Sequence, residues 1–336
     1  MKEAIKKVLD REDLSLEEAK RVMNLMLSGE ATQAQLGSFL TGLRMKGETI
    51  DEIVGCATVM REKAEHIKPN VDMYVDLVGT GGDSTYSFNI STTSAFVVAA
   101  AGLPVAKHGN RSISSKSGAA DVLEALGVNI MAAPALVEKA VEEVGIGFMF
   151  AQTFNKSMKN VGQARKDMGA RTIFNILGPV SNPSGAPCLV IGVFADNLTE
   201  PLANALLKMG AKSALVVHAL DGMDEISNVS ETRVSEVKDG SVSTYTITPE
   251  QFGFARVTLD ELRGGEAEEN AKITKSILSG EEKGPKRDVV LMNAGATLYA
   301  GGIADTMEAG IQLAAEMIDS GKAMETLNKL VEFTNK

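Results

Sequence analysis

Apolar positions near the start of the chain recur at helical spacing in three successive stretches. Their apolar faces are formed by Ala19, Val22, Met23 and Met26, then Leu36, Phe39, Leu40 and Leu43, then Ile53, Cys56, Ala57 and Met60. A capping box precedes each stretch: Ser15 with Glu18, Thr32 with Gln35, and Thr49 with Glu52. Gly29 and Gly47 follow the first two stretches, where glycine commonly ends a helix. The pattern predicts a small helical bundle domain over residues 1–68, closed by Pro69.

The hydrophobic pattern changes from Tyr74 onward. Short β-rich runs (YVDLV, LPVA, IGFMF, CLVIGVFA and SALVVHAL) alternate with stretches of helical spacing, which is typical of an α/β domain with a mostly parallel central sheet. Residues 231–248 are expected to form a β-hairpin around Asp239-Gly240. The tail after Gly264 has the spacing of four further helices. We therefore predict an α/β domain over residues 70–336. We also expect a helical segment near 165–185 to join it to the helical domain.

Charge and composition narrow the possible functions. The chain has 336 residues, 44% apolar, and a formal net charge of −10. This balance argues against nucleic acid and membrane surfaces as partners, because both are extended polyanions. The start of the chain is charged, the most apolar run (95–106) is broken by Gly102 and Pro104, and the two cysteines show no metal or redox spacing. We expect a cytoplasmic enzyme.

A glycine-rich loop follows the first predicted strand. Gly79-Thr80-Gly81-Gly82-Asp83 would let backbone N–H groups approach a ligand without side-chain obstruction. Asn89, Ser91 and Thr92 then come at a helix start, where free N–H groups favour anions. The loop matches neither the dinucleotide-binding fingerprint nor the Walker pattern, so by itself it is also compatible with a simple glycine turn.

The loop after the second predicted strand carries a stronger signal. Residues 107–118 contain three Lys or Arg residues, four serines and two glycines. Hydroxyls, backbone N–H groups and Lys or Arg side chains are the usual donors to phosphate oxygens. The alternative is a solvated basic loop, but apolar segments flank it on both sides.

Paired carboxylates follow a later strand, in Asp221-Gly222-Met223-Asp224-Glu225. Adjacent carboxylates repel each other unless a cation relieves them, and Mg²⁺ is commonly held by one or two carboxylates plus substrate phosphates. An acidic surface loop would look the same in isolation. Together with the two anion-binding loops, the pair suggests a pyrophosphate-bearing substrate accompanied by Mg²⁺.

These motifs, in this order, resemble those of the anthranilate phosphoribosyltransferase family. The resemblance rests on GTGGD at 79–83, FNIST at 88–92, KHGNRSISS at 107–115, ADVLEALG at 120–127, RTIFNILGPVSNP at 171–183, DGMDEIS at 221–227, ITPEQFG at 247–253 and GPKRDVVLMNA at 284–294. It covers nearly the whole chain. It implies a nucleoside phosphorylase/phosphoribosyltransferase-like architecture, a homodimer, and transfer of phosphoribose from phosphoribosyl pyrophosphate (PRPP) to the amine of anthranilate, in tryptophan biosynthesis.

The resemblance also implies roles for individual residues. Contacts to PRPP are implied for Gly79, Gly82, Asp83, Ser87, Asn89, Ile90, Ser91, Thr92, Lys107, His108, Gly109, Asn110, Arg111, Ser112, Ile113, Ser114, Ser115 and Ala119. Two Mg²⁺ ions are expected with PRPP, held by Ser91, Asp224 and Glu225. Anthranilate contacts are implied for Gly79, Asn110 and Arg165, whose guanidinium matches a carboxylate in bidentate fashion. No dedicated general base is expected, because an anomeric centre with oxocarbenium character needs little activation of the nucleophile.

The chain departs from the family pattern at a few positions. Asn155 stands where many members have His beside the acceptor channel, and Gln163-Ala164 replaces the usual Pro-Val before Arg165. An amide still forms hydrogen bonds but carries no charge. Ser87 replaces a common Thr, and Ala119 a common Ser, so one polar contact is expected to be absent.

Two other functions remain open at the level of sequence. A pyrimidine-nucleoside phosphorylase would share the architecture and a glycine-rich loop, but it needs no Mg²⁺-pyrophosphate site. A non-catalytic relative that binds nucleic acid would show basic stripes and would lack the Asp224-Glu225 pair. The charge of −10 and the presence of both carboxylates disfavour that second alternative.

Overall fold

The structure is a computed structural model that describes residues 1–83, 85–112 and 116–336. The predicted site residues Ile113, Ser114 and Ser115 lie outside the described residues.

The chain begins with four helices, α1 (Lys2–Leu9), α2 (Leu16–Leu27), α3 (Gln33–Lys46) and α4 (Ile50–Glu62). All three predicted capping boxes are confirmed, because the Ser15, Thr32 and Thr49 hydroxyls each accept the backbone N–H three residues later. Each box closes when the Glu or Gln side chain accepts the N–H of the capping residue. The α2–α4 helices therefore begin where local sequence satisfies their free N–H groups.

Within the described residues, seven strands form one sheet in the order β3-β2-β1-β4-β5-β6-β7. The strands are β1 (Val75–Gly79), β2 (Val105–Gly109), β3 (Ile146–Phe150), β4 (Cys188–Gly192), β5 (Ser213–Ala219), β6 (Thr232–Lys238) and β7 (Ser241–Ile247). The first five strands pair in parallel and the last two are antiparallel. The predicted hairpin is confirmed, with Asp239 and Gly240 both at positive φ, as a tight two-residue turn requires.

Eleven further helices connect and flank the strands in the described residues. They are α5 (Ile90–Ala100), α6 (Ala119–Ala125), α7 (Pro134–Glu143), α8 (Ala151–Phe154), α9 (Lys159–Met168), α10 (Phe174–Val180), α11 (Thr199–Lys208), α12 (Ala267–Leu278), α13 (Pro285–Ala300), α14 (Met307–Asp319) and α15 (Lys322–Thr334). The four predicted tail helices are confirmed as α12–α15. Helix α7 was not predicted from the sequence pattern.

The central strands are buried on both faces, and neighbouring residues of β4 pack into different cores. Cys188 and Val190 of β4 pack with α5 and α12–α15, whereas Leu189 and Ile191 pack on the opposite side. That second core is continuous with the helices of residues 1–68 and includes side chains of α9, α10 and α11. The alternation follows from the two-residue period of a strand. It places the core shared with the N-terminal helices on one face of the sheet.

No helix in the described part of the chain combines the length and apolar character needed to cross a membrane. Both cysteines are free and buried.

Candidate active site

The site lies where the order of strands reverses, between β1 and β4. In open α/β sheets the connections on either side of such a point diverge and leave a crevice at the carboxyl ends. Gly79 and Gly192 are paired there in register as the last residues of their strands. A Cβ on Gly79 would lie 2.4 Å from the Asp224 carboxylate, and one on Gly192 would lie 1.6 Å from the Asp224 carbonyl oxygen. Gly79 and Gly192 together form the glycine seat, the close-packed surface against which Asp224 lies.

Asp224 and Glu225 are held by backbone N–H groups from two predicted anion-binding segments. Asp224 accepts the N–H of Gly81 at 2.6 Å, and Glu225 accepts the N–H of Ser91 in the first turn of α5 at 3.1 Å. Burial raises the pKa of both carboxyl groups, and repulsion from Asp83 and between the pair raises it further. The carboxylate pair thus lies beside the glycine-rich loop.

The donor set suits a hard cation that shares its coordination with a ligand. Two desolvated, mutually repelling carboxylates gain stability when a divalent cation lies between them. Within the described residues, no group of three or more His, Cys, Asp or Glu side chains is arranged to hold a metal alone. Mg²⁺ typically combines one or two carboxylates with oxygens of a bound phosphate, and the Asp224–Glu225 pair fits that pattern.

The N-terminus of α5 is held by side-chain amides. The helix starts at Ile90, and Asn89 is its N-cap. Asn89 donates to the Ser117 carbonyl at 3.1 Å and accepts from Asn270 at 2.9 Å. Ile90 and Thr92 are buried, so their side chains belong to the core. Only backbone groups or Ser91 can face a ligand from this first turn.

Lys107 differs from the sequence expectation. The predicted phosphate-binding cation is fully buried, and its Nζ donates to the Leu77 carbonyl. It lies near two carboxylates, Asp76 and Glu225, while desolvation lowers its pKa. Lys107 thus offsets buried negative charge beneath the site instead of facing the loop.

His108 is also buried, and Asn155 is one of its hydrogen-bond partners. The Asn155 amide nitrogen lies 3.1 Å from His108 Nε2, and the Gly178 carbonyl provides a second partner for the ring. Desolvation lowers the pKa of His108 to about 4, so the imidazole is neutral at neutral pH. Because an amide nitrogen only donates, Nε2 accepts and the ring proton lies on Nδ1.

Arg111 is paired within the protein. Its guanidinium contacts Asp121 and Glu124, each at 2.8 Å, and lies over the Phe150 ring. Ser112 donates its N–H to the same Asp121 carboxylate. The positive charge of this loop is therefore smaller than its composition suggested. Tight packing surrounds its base, where a Cβ on Gly109 would lie 3.0 Å from Ala119 Cβ.

A cavity of about 500 Å³ adjoins the strand ends. Its lining brings together Gly79, His108 and Asn110 from the sheet side with Met60, Arg165 and Phe174 from the helical side. Arg165 is largely buried over the Phe174 ring, and desolvation lowers its pKa. Among the described residues, no protein carboxylate forms an ion pair with Arg165. A buried guanidinium without a counter-charge is suited to an anionic ligand.

The remaining predicted site residues lie further along the first loop. The Asp83 carboxylate accepts a hydrogen bond from the Thr85 hydroxyl. The backbone of Ser87 forms an isolated β-bridge with that of Arg263. The Gly82 carbonyl accepts from Arg171, whose guanidinium lies over the Phe194 ring at 4.2 Å. Arg171 thus links the glycine-rich loop to the segment that precedes α10.

Several supporting residues were missed by sequence reasoning. Asn182 donates to the Asp76 carboxylate, Asn270 positions Asn89, and Asn293 bonds the backbone of Ile226 beside Glu225. Each lies far in sequence from its partner. For Asn182 and Asn293 the one available signal was their place in the SNP and MNA segments, which indicates family membership but no contact.

Two family models match the chain. The glycosyl transferase family a/b domain matches residues 71–324, and the helical bundle domain of the same family matches residues 2–64.

Curated relatives match over nearly the full length. The chain is 56% identical to anthranilate phosphoribosyltransferase of Acetivibrio thermocellus, over 100% of this chain and 97% of the relative. It is 54% identical to that of Desulfosudis oleivorans, over 99% and 98%. Such identity with phosphoribosyltransferases disfavours the phosphorylase and nucleic-acid-binding alternatives.

Solved structures share the whole fold. Anthranilate phosphoribosyltransferase from Thermus thermophilus superposes with a TM-score of 0.95 at 43% identity, covering 99% of both chains. The Saccharomyces cerevisiae enzyme in complex with PRPP and Mg gives 0.91 at 27% identity, covering 99% of this chain and 97% of that one. The fold, the site at the strand ends and these relatives agree, and the chain belongs to the anthranilate phosphoribosyltransferases of the glycosyl transferase family.

Proposed function

We propose that this protein transfers the phosphoribosyl group of PRPP to the amine of anthranilate, releasing pyrophosphate, as a step of tryptophan biosynthesis. One observation carries the proposal: Gly79 both touches the Asp224 carboxylate and lines the cavity that contains Arg165. A pyrophosphate-bearing donor at the carboxylates and an aromatic acid in the cavity would therefore meet at this strand end.

The donor half of the site is supported by charge and by backbone geometry. Asp224, Glu225 and Ser91 would hold Mg²⁺, and we propose two ions. A yeast relative has been solved in complex with PRPP and Mg. When bound, Mg²⁺ offsets charge that develops on the leaving pyrophosphate. The glycine-rich loop, the first turn of α5 and the described residues of the loop after β2 supply N–H and hydroxyl donors to phosphate oxygens.

The acceptor half is supported by Arg165 and the walls around it. The guanidinium would take the anthranilate carboxylate, while Asn110 and Gly79 border the path to the donor. A yeast relative has been solved in complex with 4-fluoroanthranilate, at 26% identity and a TM-score of 0.89. The neutral His108–Asn155 pair gives this wall a polar edge without a charge.

The chemistry is a substitution at the anomeric carbon of the ribose. The bond from that carbon to the pyrophosphate oxygen breaks, the bond to the amine nitrogen forms, and the amine loses one proton to solvent. No catalytic base is assigned, because holding the two reactants in line supplies much of the rate. The chain's residues bind, orient and compensate charge.

The direct test is a fluorescence assay. Anthranilate fluorescence should fall when PRPP and Mg²⁺ are both present and remain constant when either is omitted. Asp224→Asn should remove the response, whereas Asp239→Asn, in the exposed hairpin turn, should preserve it. Absence of turnover by the folded wild type would overturn the proposal. Phosphorolysis of thymidine or uridine would instead support the phosphorylase alternative.

We also propose the organisation that accompanies this activity. Residues 1–68 would form the helical domain, joined through the helical segment near 165–185 to the catalytic domain at 70–336, and the protein would act as a cytoplasmic homodimer. Support for the domains comes from the core that α1–α4 share with α9 and α10. Light scattering after size-exclusion chromatography tests the dimer: a mass of one chain would contradict it.

A further inference from the structure

The Asp224–Glu225 pair has a further support, which comes from a residue distant from it in sequence. Asn293 lies in the middle of α13 and is 2% exposed. Its Oδ1 accepts the N–H of Ile226 at 3.0 Å, and its Nδ2 donates to the carbonyl of the same residue at 2.7 Å. One amide therefore satisfies both backbone groups of the residue that directly follows Glu225.

The orientation of this amide is determined by its partners. Nδ2 also donates to the Val289 carbonyl at 2.8 Å, so a reversed amide would place an oxygen against two carbonyls. Both donor and acceptor capacities are thus used, and every partner is backbone. Removing the amide would leave buried backbone groups unpaired, which is costly and would displace the segment.

The opposite side of the same segment is held by close contacts. Gly192 and Gly79 leave no room for a Cβ beneath Asp224, whose carboxylate receives the N–H of Gly81. Asp224 therefore packs against the paired glycines, and the residue that follows Glu225 is bonded to the Asn293 amide. Carboxylates that must repel each other need such support to remain together.

We infer that Asn293 is a positioning residue that fixes the Asp224–Glu225 pair in the geometry that binds metal-loaded PRPP. The inference rests on the proposed function. Asn293 acts on the pair through the backbone of Ile226. Residues that support metal ligands from behind commonly change metal affinity by about 10- to 100-fold when they are replaced.

The test separates metal-dependent binding from folding. Calorimetric titration with PRPP is run in Mg²⁺ and again in EDTA, without anthranilate, so that no turnover occurs. In the wild type, Mg²⁺ should tighten PRPP binding. In Asn293→Asp and Asn293→Ser this tightening should fall about 10- to 100-fold, while the affinity in EDTA stays unchanged.

Thr297→Val is the matched control. Thr297 lies one turn along α13, is equally buried, and its hydroxyl donates to the helix backbone at the Asn293 carbonyl. The substitution should lower thermal stability without altering the effect of Mg²⁺. Equal tightening in wild type and both Asn293 variants would overturn the inference alone. No tightening in the wild type would overturn the proposed metal role and the inference with it.

Discussion

The two halves of the active site are built in different ways. The donor half consists of short contiguous segments, each placed at the end of its own strand or the start of a helix. The acceptor half is a cavity whose walls come from α4, α9, α10 and the ends of β1 and β2. In the donor half, local backbone geometry presents N–H groups. In the acceptor half, single side chains such as Arg165 are brought in by the packing of helices on the sheet.

This difference predicts how each half responds to change. The donor half should be sensitive to displacement of backbone, because its contacts depend on glycine packing and N–H direction. The acceptor half should respond to loss of individual side-chain interactions. Changes in the donor half should therefore alter KM for PRPP, and changes in the acceptor half should alter KM for anthranilate.

The largest effect is expected for Gly79→Ala. The new Cβ would lie 2.4 Å from the Asp224 carboxylate and would displace it. Misplacement by about 1 Å can cost roughly 100-fold in rate, so kcat/KM for PRPP should fall by that order. Steady-state kinetics at varied PRPP and Mg²⁺ measure it. A variant that retained wild-type kcat/KM would show that the glycine seat has no role.

Arg165→Ala should affect the other substrate. Hydrogen bonds to charged groups contribute about 1.5–3 kcal/mol, so KM for anthranilate should rise about 10- to 150-fold. KM for PRPP should change little, because Arg165 lies on the cavity wall formed by α9. Arg165→Lys keeps the charge but loses the bidentate geometry, so its KM for anthranilate should lie between those of the wild type and Arg165→Ala. An equal rise in both constants would contradict the division of the site.

A smaller effect is expected at Asn155. Asn155→Leu removes the hydrogen bond to His108 Nε2, which is worth about 1 kcal/mol, so KM for anthranilate should rise about fivefold. Asn155→His restores a ring at this position and tests the family residue directly. If both variants match the wild type, Asn155 is a tolerated replacement without influence on the acceptor.

The smallest effect concerns stability alone. Gly37 lies inside α3, and no atom lies within 4 Å of the place that an alanine methyl group would occupy. Gly37→Ala should raise the free energy of unfolding by about 0.5–1 kcal/mol without changing either Michaelis constant. Denaturant unfolding measures the gain. A loss of stability would mean that this helix face is covered in solution.

Much of the fold was predictable because local signals and burial agree. The capping boxes at Ser15, Thr32 and Thr49 are closed within four residues, so no distant contact is needed to form them. The Asp239-Gly240 turn is equally local. Helix α7 was missed although Pro134 stands at its first position, because proline is as common in turns as at the start of a helix.

Local signals in the sequence were sufficient for the alternation of strands and helices along most of the chain, for the family, and for the short segments that can present N–H groups to phosphate. They did not reveal that Lys107 is buried against Asp76 and Glu225, or that Asn293 holds the backbone of Ile226. Those partnerships arise from tertiary packing, and the physical reason is distance along the chain. The residue type determines which hydrogen bonds and ion pairs a side chain can form. The packing of the sheet and its helices determines which partner the side chain meets and how far the pair is shielded from water.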